Sequence, residues 1–448
     1  TVRVPLLLRA PGRLPGGVVV GEPVGLADVA PTLAGLAGVP LAPPGSTLDG
    51  RDLSPSLVAG DEPPRVDLYA ETEYPRLFGW SALAAIRRGH AKYVAAPTPR
   101  LFDLESDPGE TSNTLQAGDH RTAALAEALA SLQAEGVAAA PPVESELDAE
   151  SRAKLASLGY LSSRSSSGAK LATGADPHDR VELFRAFEEA HWATLAGRPA
   201  QAVRQLRPLV ESDPENAVFR AHLARAYREN GEQDASLREY RRAFASSPGD
   251  SQVGYELALA LQASGNIEEA TTVLAVVLKS DAARPEAHNA LGILRSMQGH
   301  TGEARQEFER ALAIDPDDAV VLNNLGNSLR DLAQPEPAAI AYRRAIELAP
   351  NYSEPLNGLG SVLVAQGRPA EALPLFERAL DLAPDRHEVR LNRAVALELS
   401  GDRAAAIHAY RDFLAAAESD PHFAEQRAMA IELASRLEER ASSEPSRN

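Results

Sequence analysis

SEPLNGLGSVLVAQGRPAEALPLFERALDLAPDR, residues Ser353–Arg386, decides the architecture of most of this chain. Its Pro384 recurs upstream as Pro350, Pro316, Pro248 and Pro214, at gaps of 34, 34, 68 and 34 residues. One beat is skipped, at Ala282. A fixed period of that length marks a solenoid of helical hairpins. With the proline as position 32 of each unit, four further columns align. Position 8 is small: Ala224, Ala258, Gly292, Gly326, Gly360 and Ala394. Position 15 is Gly197, Gly231, Gly265, Gly299, Gly367 and Gly401, broken only by Ala333. A glycine there ends the first helix in a left-handed turn. Position 20 is Ala202, Ala270, Ala304, Ala338, Ala372 and Ala406, with Ser236 as the exception. Position 24 is large: Leu206, Tyr240, Leu274, Phe308, Tyr342, Phe376 and Tyr410. Small at 8 and 20 with large at 24 is the pattern of two helices packing knob into hole.

These columns closely resemble tetratricopeptide repeats. Seven units run from about Leu183 to Asp420, and the segment from Pro421 to Arg440 is similar to the helix that caps such arrays. The resemblance implies an all-α superhelix of about seven hairpins, with the first helix of each unit lining a concave face. Positions 2, 5, 9 and 12 are expected to point there. Position 5 is Asn289, Asn323 and Asn357 in three consecutive units, and Asn324, Asn327 and Asn392 lie on or beside the same face. Each amide offers a donor and an acceptor, so a ladder of them suits the backbone of an extended peptide. Arg225 and Arg228, nearer the N-terminus on that face, are candidates for holding a carboxylate. The competing reading is that Asn is simply common in the first helix of such repeats and that the array is a spacer.

The 448 residues carry a net charge of −18, 44% hydrophobic and 24% charged residues, and no cysteine. That composition is of an ordinary folded protein, not a disordered one. Strong acidity argues against nucleic acid as a main partner, because phosphate binding needs clustered Lys and Arg. Without cysteine, disulfides and thiolate chemistry are excluded for this chain. No apolar run approaches the roughly 20 residues that a membrane helix requires. The first residue is Thr1 and the only methionines are Met297 and Met429, so the sequence is expected to be a fragment, a processed product or an incomplete gene product.

Residues 1–115 show no repeat and read as mixed α/β. Val2 to Leu8 is a β-rich run, and Leu26 to Gly38 reads as a short helix with Pro31 in its first turn or at its start. Val66 to Glu71, Ala82 to Arg87 and Ala91 to Val94 are predicted strands, the last two joined by a tight turn at Gly89 and His90. Leu101 to Glu110 ends in the turn Asp107 Pro108 Gly109 Glu110. Ala117 to Gly136 and Ser145 to Leu158 are predicted helices. Ser162, Ser163 and Ser165 to Gly168 have linker composition. The predicted division is therefore residues 1–160, a linker over 161–178, repeats over 179–420, a capping helix over 421–440 and a tail over 441–448.

Three stretches of the first part carry a second resemblance. They are Val2 to Gly12, then Val24 Gly25 Leu26 Ala27 Asp28 Val29 Ala30 Pro31 Thr32 Leu33 running on to Leu48 Asp49 Gly50 Arg51 Asp52 Leu53, and finally Leu101 Phe102 Asp103 Leu104 to Glu110 followed by Asn113. In this order they are similar to the C-terminal part of a sulfatase of the alkaline-phosphatase-like superfamily, over about residues 1–160. Tyr69 to Tyr74, Phe78 Gly79 Trp80 Ser81 and Lys92 Tyr93 fit the segments between. The resemblance implies an α/β fragment, and for the full-length family a calcium ion and a formylglycine nucleophile that together cleave sulfuric esters. None of the residues that do this in the family matches a position here, so no catalytic or metal residue is carried over. Asp28, Asp49, Asp52, Asp103 and Asp107 are the acidic candidates for a metal, but Asp28 fits a helix N-cap and Asp49 and Asp107 fit turns. Glu73, Tyr74 and Trp80 are candidates for the border of a substrate cleft in a complete enzyme.

The resemblance also spans the junction. Leu155 to Tyr160, a polar linker and Asp176 Pro177 His178 Asp179 are similar to bacterial sulfatase-like proteins that carry a C-terminal repeat array. For that group a periplasmic or external location is implied. Two functions follow as expectations. One is a sulfatase-like hydrolase whose array binds proteins. The other is a non-catalytic scaffold that binds an extended peptide on its concave face.

Overall fold

The computed structural model of the protein describes residues 6–41, 50–116, 118–138 and 174–443. By packing, the chain divides into two compact units, Thr1–His222 and Leu223–Asn448.

The first unit opens with a 3-10 turn, Leu26–Asp28, that runs into helix α1, Val29–Ala37, with Pro31 in the first turn. Gly38 ends the helix at φ 71°, a left-handed stop at the predicted end of the helix. A short helix α2, Ser54–Ala59, follows. Four strands then form one antiparallel meander in chain order: β1 Leu68–Thr72, β2 Leu83–Arg88, β3 Ala91–Ala95 and β4 Arg100–Asp103. Three of them lie within two residues of their predicted positions. The fourth has no trace in the sequence reading, where the turn signal at Asp107 and Pro108 dominated. Alternation explains how the sheet buries one face. Ala84 and Ile86 of β2 and Tyr93 and Ala95 of β3 point to α3, His120–Ala138, and meet its Leu125 and Leu129. Of the β-rich run Val2 to Leu8, residues 2–5 lie outside the described residues, and 6–8 form no strand. The predicted helix Ser145 to Leu158 also lies outside them.

The repeats begin after a 3-10 turn, Pro177–Arg180. Among the described residues seven hairpins follow, each with a first and a second helix. They are α4 Val181–Leu195 with α5 Pro199–Ser212, α6 Ala217–Glu229 with α7 Gln233–Ser246, α8 Ser251–Ala263 with α9 Ile267–Ser280, and α10 Pro285–Met297 with α11 Thr301–Ile314. Then come α12 Ala319–Asp331 with α13 Pro335–Leu348, α14 Ser353–Ala365 with α15 Pro369–Leu382, α16 His387–Leu399 with α17 Arg403–Ala416, and the closing helix α18 Ala424–Ser443.

The columns read from the sequence are the interior of these hairpins. Every position-24 side chain from Leu206 to Tyr410 is buried, and so are the alanines of position 20. A Cβ on Gly326 would lie 2.6 Å from the Tyr342 ring, and one on Gly360 would lie 2.6 Å from the Phe376 ring. Position 8 is small because the large residue of its own hairpin lies directly over it. Position 15 is left-handed throughout, and Ala333 adopts φ 57° there without being glycine.

Composition and packing divide this chain at different places. The linker expected over 161–178 rests on a change of sequence type; its residues 161–173 lie outside the described residues, and Gly174 and Asp176 bond to Ser81 and Arg100 of the first unit. The packing division falls inside α6, at His222 and Leu223, so the first hairpin belongs to the unit that holds the sheet.

Candidate functional site

In the first unit the acidic motif residues build the frame. Asp28 is buried and does not cap α1 with its side chain. Its carboxylate instead accepts bonds from the backbone N–H of Arg51 (2.8 Å) and of Gly25 (3.1 Å), and from the Arg51 guanidinium (2.7 Å). This corrects the N-cap reading. The buried charge needs a counter-ion more than the helix end needs a cap. Burial pushes the Asp28 carboxyl up, but the Arg51 and Gly25 hydrogen bonds outweigh it, and its pKa lies below the ordinary value.

The remaining acids serve turns. Asp52 accepts from the Ser54 N–H at 2.8 Å, and Asp103 from the Glu105 N–H at 3.0 Å. Asp107 accepts from the Ser112 N–H at 2.8 Å and from the Thr111 hydroxyl at 3.0 Å. Asn113 accepts from the Leu101 N–H at 2.9 Å and so fixes the end of the third motif to β4. Asp49 lies outside the described residues. Among the described residues, no group of three or more His, Asp or Glu side chains could hold a metal ion. The calcium implied by the family resemblance therefore does not fit the carboxylates described here.

In the second unit the asparagines fall into two kinds. Asn324 donates its amide to Asn289 Oδ1 at 3.0 Å, and Asn392 donates to Asn357 Oδ1 at 2.8 Å. Position 5 of one unit thus meets position 6 of the next. Each pair satisfies one donor and one acceptor and leaves the Asn289 or Asn357 NH₂ and the Asn324 or Asn392 carbonyl for a ligand. All four are half-buried, which keeps them ordered yet reachable. Asn323 and Asn327 differ. Asn323 is buried at 5% exposure. Asn327 accepts the Tyr342 hydroxyl at 2.8 Å. A position-24 tyrosine explains Asn327. A buried phenol needs a partner that phenylalanine does not. Tyr342 takes Asn327, Tyr410 takes Glu398 at 2.7 Å, and Tyr240 takes Glu256.

Arg225 does hold a carboxylate, but it is the chain's own Glu256. Glu256 is 7% exposed and also accepts from Gln252 at 2.9 Å. Burial pushes the Glu256 carboxyl up, while Arg225, Tyr240 and Gln252 pull it down further, to below its ordinary value. The charge of Arg225 thus already offsets a buried carboxylate of the chain itself. Arg228 is half-buried and adds its field to Tyr240. Sequence reasoning missed Glu256. The available signal was a tyrosine in a column that elsewhere tolerates leucine or phenylalanine.

Comparisons with known proteins agree with both resemblances. Profiles described as "Tetratricopeptide repeat" match residues 233–294, 285–318, 323–386 and 357–421. One described as "Bacterial transcriptional activator domain" matches residues 177–262. The chain is 35% identical over 156 residues to arylsulfatase A of Homo sapiens, covering 30% of this chain and 30% of that one. It is 40% identical over 117 residues to choline-sulfatase of Rhizobium meliloti (strain 1021), covering 25% of this chain and 21% of that one. A solved tetratricopeptide repeat protein from Parabacteroides merdae ATCC 43184 matches at TM-score 0.46 and 14% identity, over 55% of this chain and 98% of that one. The chain thus spans less than a third of the length of these two sulfatases. It joins a sulfatase-like part to an array of tetratricopeptide repeats, a kind of array suited to protein interaction. Among the described residues no helix is long and apolar enough to cross a membrane.

Proposed function

We propose that this chain works as the C-terminal part of a sulfatase-like hydrolase, and that its repeat array captures a protein partner through an extended segment. The observation that carries the partner reading is the pair of amide bridges, Asn289–Asn324 and Asn357–Asn392. Each presents a fixed donor and acceptor at the spacing of consecutive first helices, and an extended backbone offers the complementary groups at every residue. The test is an array of unstructured 15-residue peptides, probed with the 448-residue chain and with its Asn289, Asn324, Asn357 and Asn392 to Ala variant. Loss of peptide capture at an unchanged melting temperature is expected. Undiminished capture by the variant would remove the reading.

In this reading sulfuric ester cleavage belongs to the complete enzyme domain, with calcium and a formylglycine as its cofactors. A second reading, a scaffold without catalysis, is favoured by one observation. Asp28, Asp52, Asp103 and Asp107 are each engaged in a turn or an ion pair. The encoding locus, expressed together with whatever precedes residue 1 and assayed with an aryl sulfate and calcium, separates the two. Turnover would sink the scaffold reading.

A further inference from the structure

The repeat face is already occupied at its first hairpin, and the occupant is the chain itself. Phe184 and Phe187 hold positions 2 and 5 of their unit, and position 5 is the column that carries Asn289 and Asn357 later. Against them sits the 3-10 turn Tyr74–Phe78 of the sulfatase-like part. The Phe78 ring meets Phe187 edge-on at 5.2 Å and Phe184 at 5.6 Å, and Trp80 stacks on Phe78 at 4.9 Å. Asn216 donates its amide to the Phe78 carbonyl at 3.0 Å. Aromatic side chains in a pocket, with a main-chain carbonyl held by an amide, are the parts of peptide recognition. Here they are supplied in cis.

Two features favour exchange over a permanent seam. Trp80 Nε1 is buried with no hydrogen-bond partner among the described residues, and an unpaired buried donor weighs against the docked state. Tyr74, at the edge of the cluster, is 49% exposed and leaves a flank from which a competitor can enter.

We propose that the Tyr74–Trp80 turn is a displaceable cis ligand that covers the aromatic first-helix face of the first hairpin. The partner that displaces it is a peptide segment carrying two aromatic residues around a glycine turn. The proposal rests on reading the first-helix face as a peptide-binding surface.

The test uses the full chain with Trp192→Phe, which leaves Trp80 as the single indole of the two in the sequence. The probe is a synthetic peptide of residues 73–83 with its Trp replaced by Phe. Adding it should expose Trp80 to acrylamide in a saturable way, and the same peptide with its Phe78 position changed to Ala should not. Tyr74→Ala in the chain weakens the cis turn but not the added peptide, so it should lower the half-saturating peptide concentration about tenfold, the weight of one edge-to-face ring pair. If that variant loses far-UV ellipticity, Tyr74→Leu takes its place with the same expectation. No response up to millimolar peptide in either chain, or an equal response to the altered peptide, overturns the proposal. The four-asparagine variant should respond as the parent does, so failure here leaves the amide-pair reading standing, and the reverse holds too.

Discussion

Arg100, at the start of β4, grips Asp176, just ahead of the first repeat, with its two terminal guanidinium nitrogens at 2.9 and 3.3 Å. Asp176 also accepts from the N–H groups of Thr98 (3.1 Å) and His178 (3.0 Å), so one buried carboxylate ties the sheet to the turn that begins the hairpins. Removing one partner of such a pair leaves the other charge buried and unmatched. Asp176→Asn should lower the stability of the first unit by about 3 kcal/mol. Burial pushes the Asp176 carboxyl up, but its hydrogen bonds from Arg100, His178 and Thr98 hold it below the ordinary value. A depressed folded-state value means the stabilisation is complete above the unfolded-state pKa of about 3.9 and is lost as pH falls through the lower folded one. Urea melts between neutral pH and pH of about 2 should show this acid-side loss in the parent and less of it in Asp176→Asn.

Gly174 lies where two segments come too close for a side chain. A Cβ there would sit 2.6 Å from the Gly79 carbonyl oxygen and 2.8 Å from the Ser81 nitrogen. The Ser81 N–H donates to the Ala175 carbonyl at 3.0 Å across the same contact. Gly174→Ala should therefore push the two segments apart and cost about 2 kcal/mol, read as an earlier unfolding midpoint of Trp80 fluorescence in the Trp192→Phe chain.

Two departures from the chain's own repeat pattern make the opposite prediction. Ser236 stands where the other units have alanine, and its hydroxyl is buried without a partner among the described residues. Ala333 stands where they have glycine, at φ 57°. Ser236→Ala removes an unsatisfied donor, and Ala333→Gly relieves a left-handed Cβ. Each should raise stability by about 1 kcal/mol in denaturant titrations. Gly367→Ala, at φ 74°, should lower it by a similar amount.

Tyr342 and Asn327 should behave as a structural pair and not as part of a binding site. Burial raises the Tyr342 phenol to about 12, consistent with a hydroxyl held in an apolar setting. In a double-mutant cycle, Tyr342→Phe and Asn327→Ala should each destabilise, with a coupling of about 1 kcal/mol. Asn327→Ala should leave peptide capture unchanged. Asn324→Ala should weaken capture while leaving the melt nearly where it was.

Local, repeated contacts were legible in the sequence. The 34-residue period, the small-large columns and the turn glycines each encode an interaction made inside one hairpin and made again in the next, so repetition amplified them. The strands β1 to β3 were legible through alternation. β4 was not, because both Leu101 and Phe102 are buried and a four-residue strand with no alternation carries no period-two signal.

The site was legible only as a set of residue types. Sequence alone placed asparagines at a recurring position of the first helices, put Arg225 in an earlier first helix and showed that Phe78 and Trp80 flank a glycine. Tertiary structure decided that Asn289 bonds Asn324 and Asn357 bonds Asn392, that Arg225 is held by Glu256, and that the Phe78 turn rests on Phe187. The reason is that each of these contacts joins residues 31 to 109 positions apart and depends on how helices and turns lie against one another, which no local pattern records.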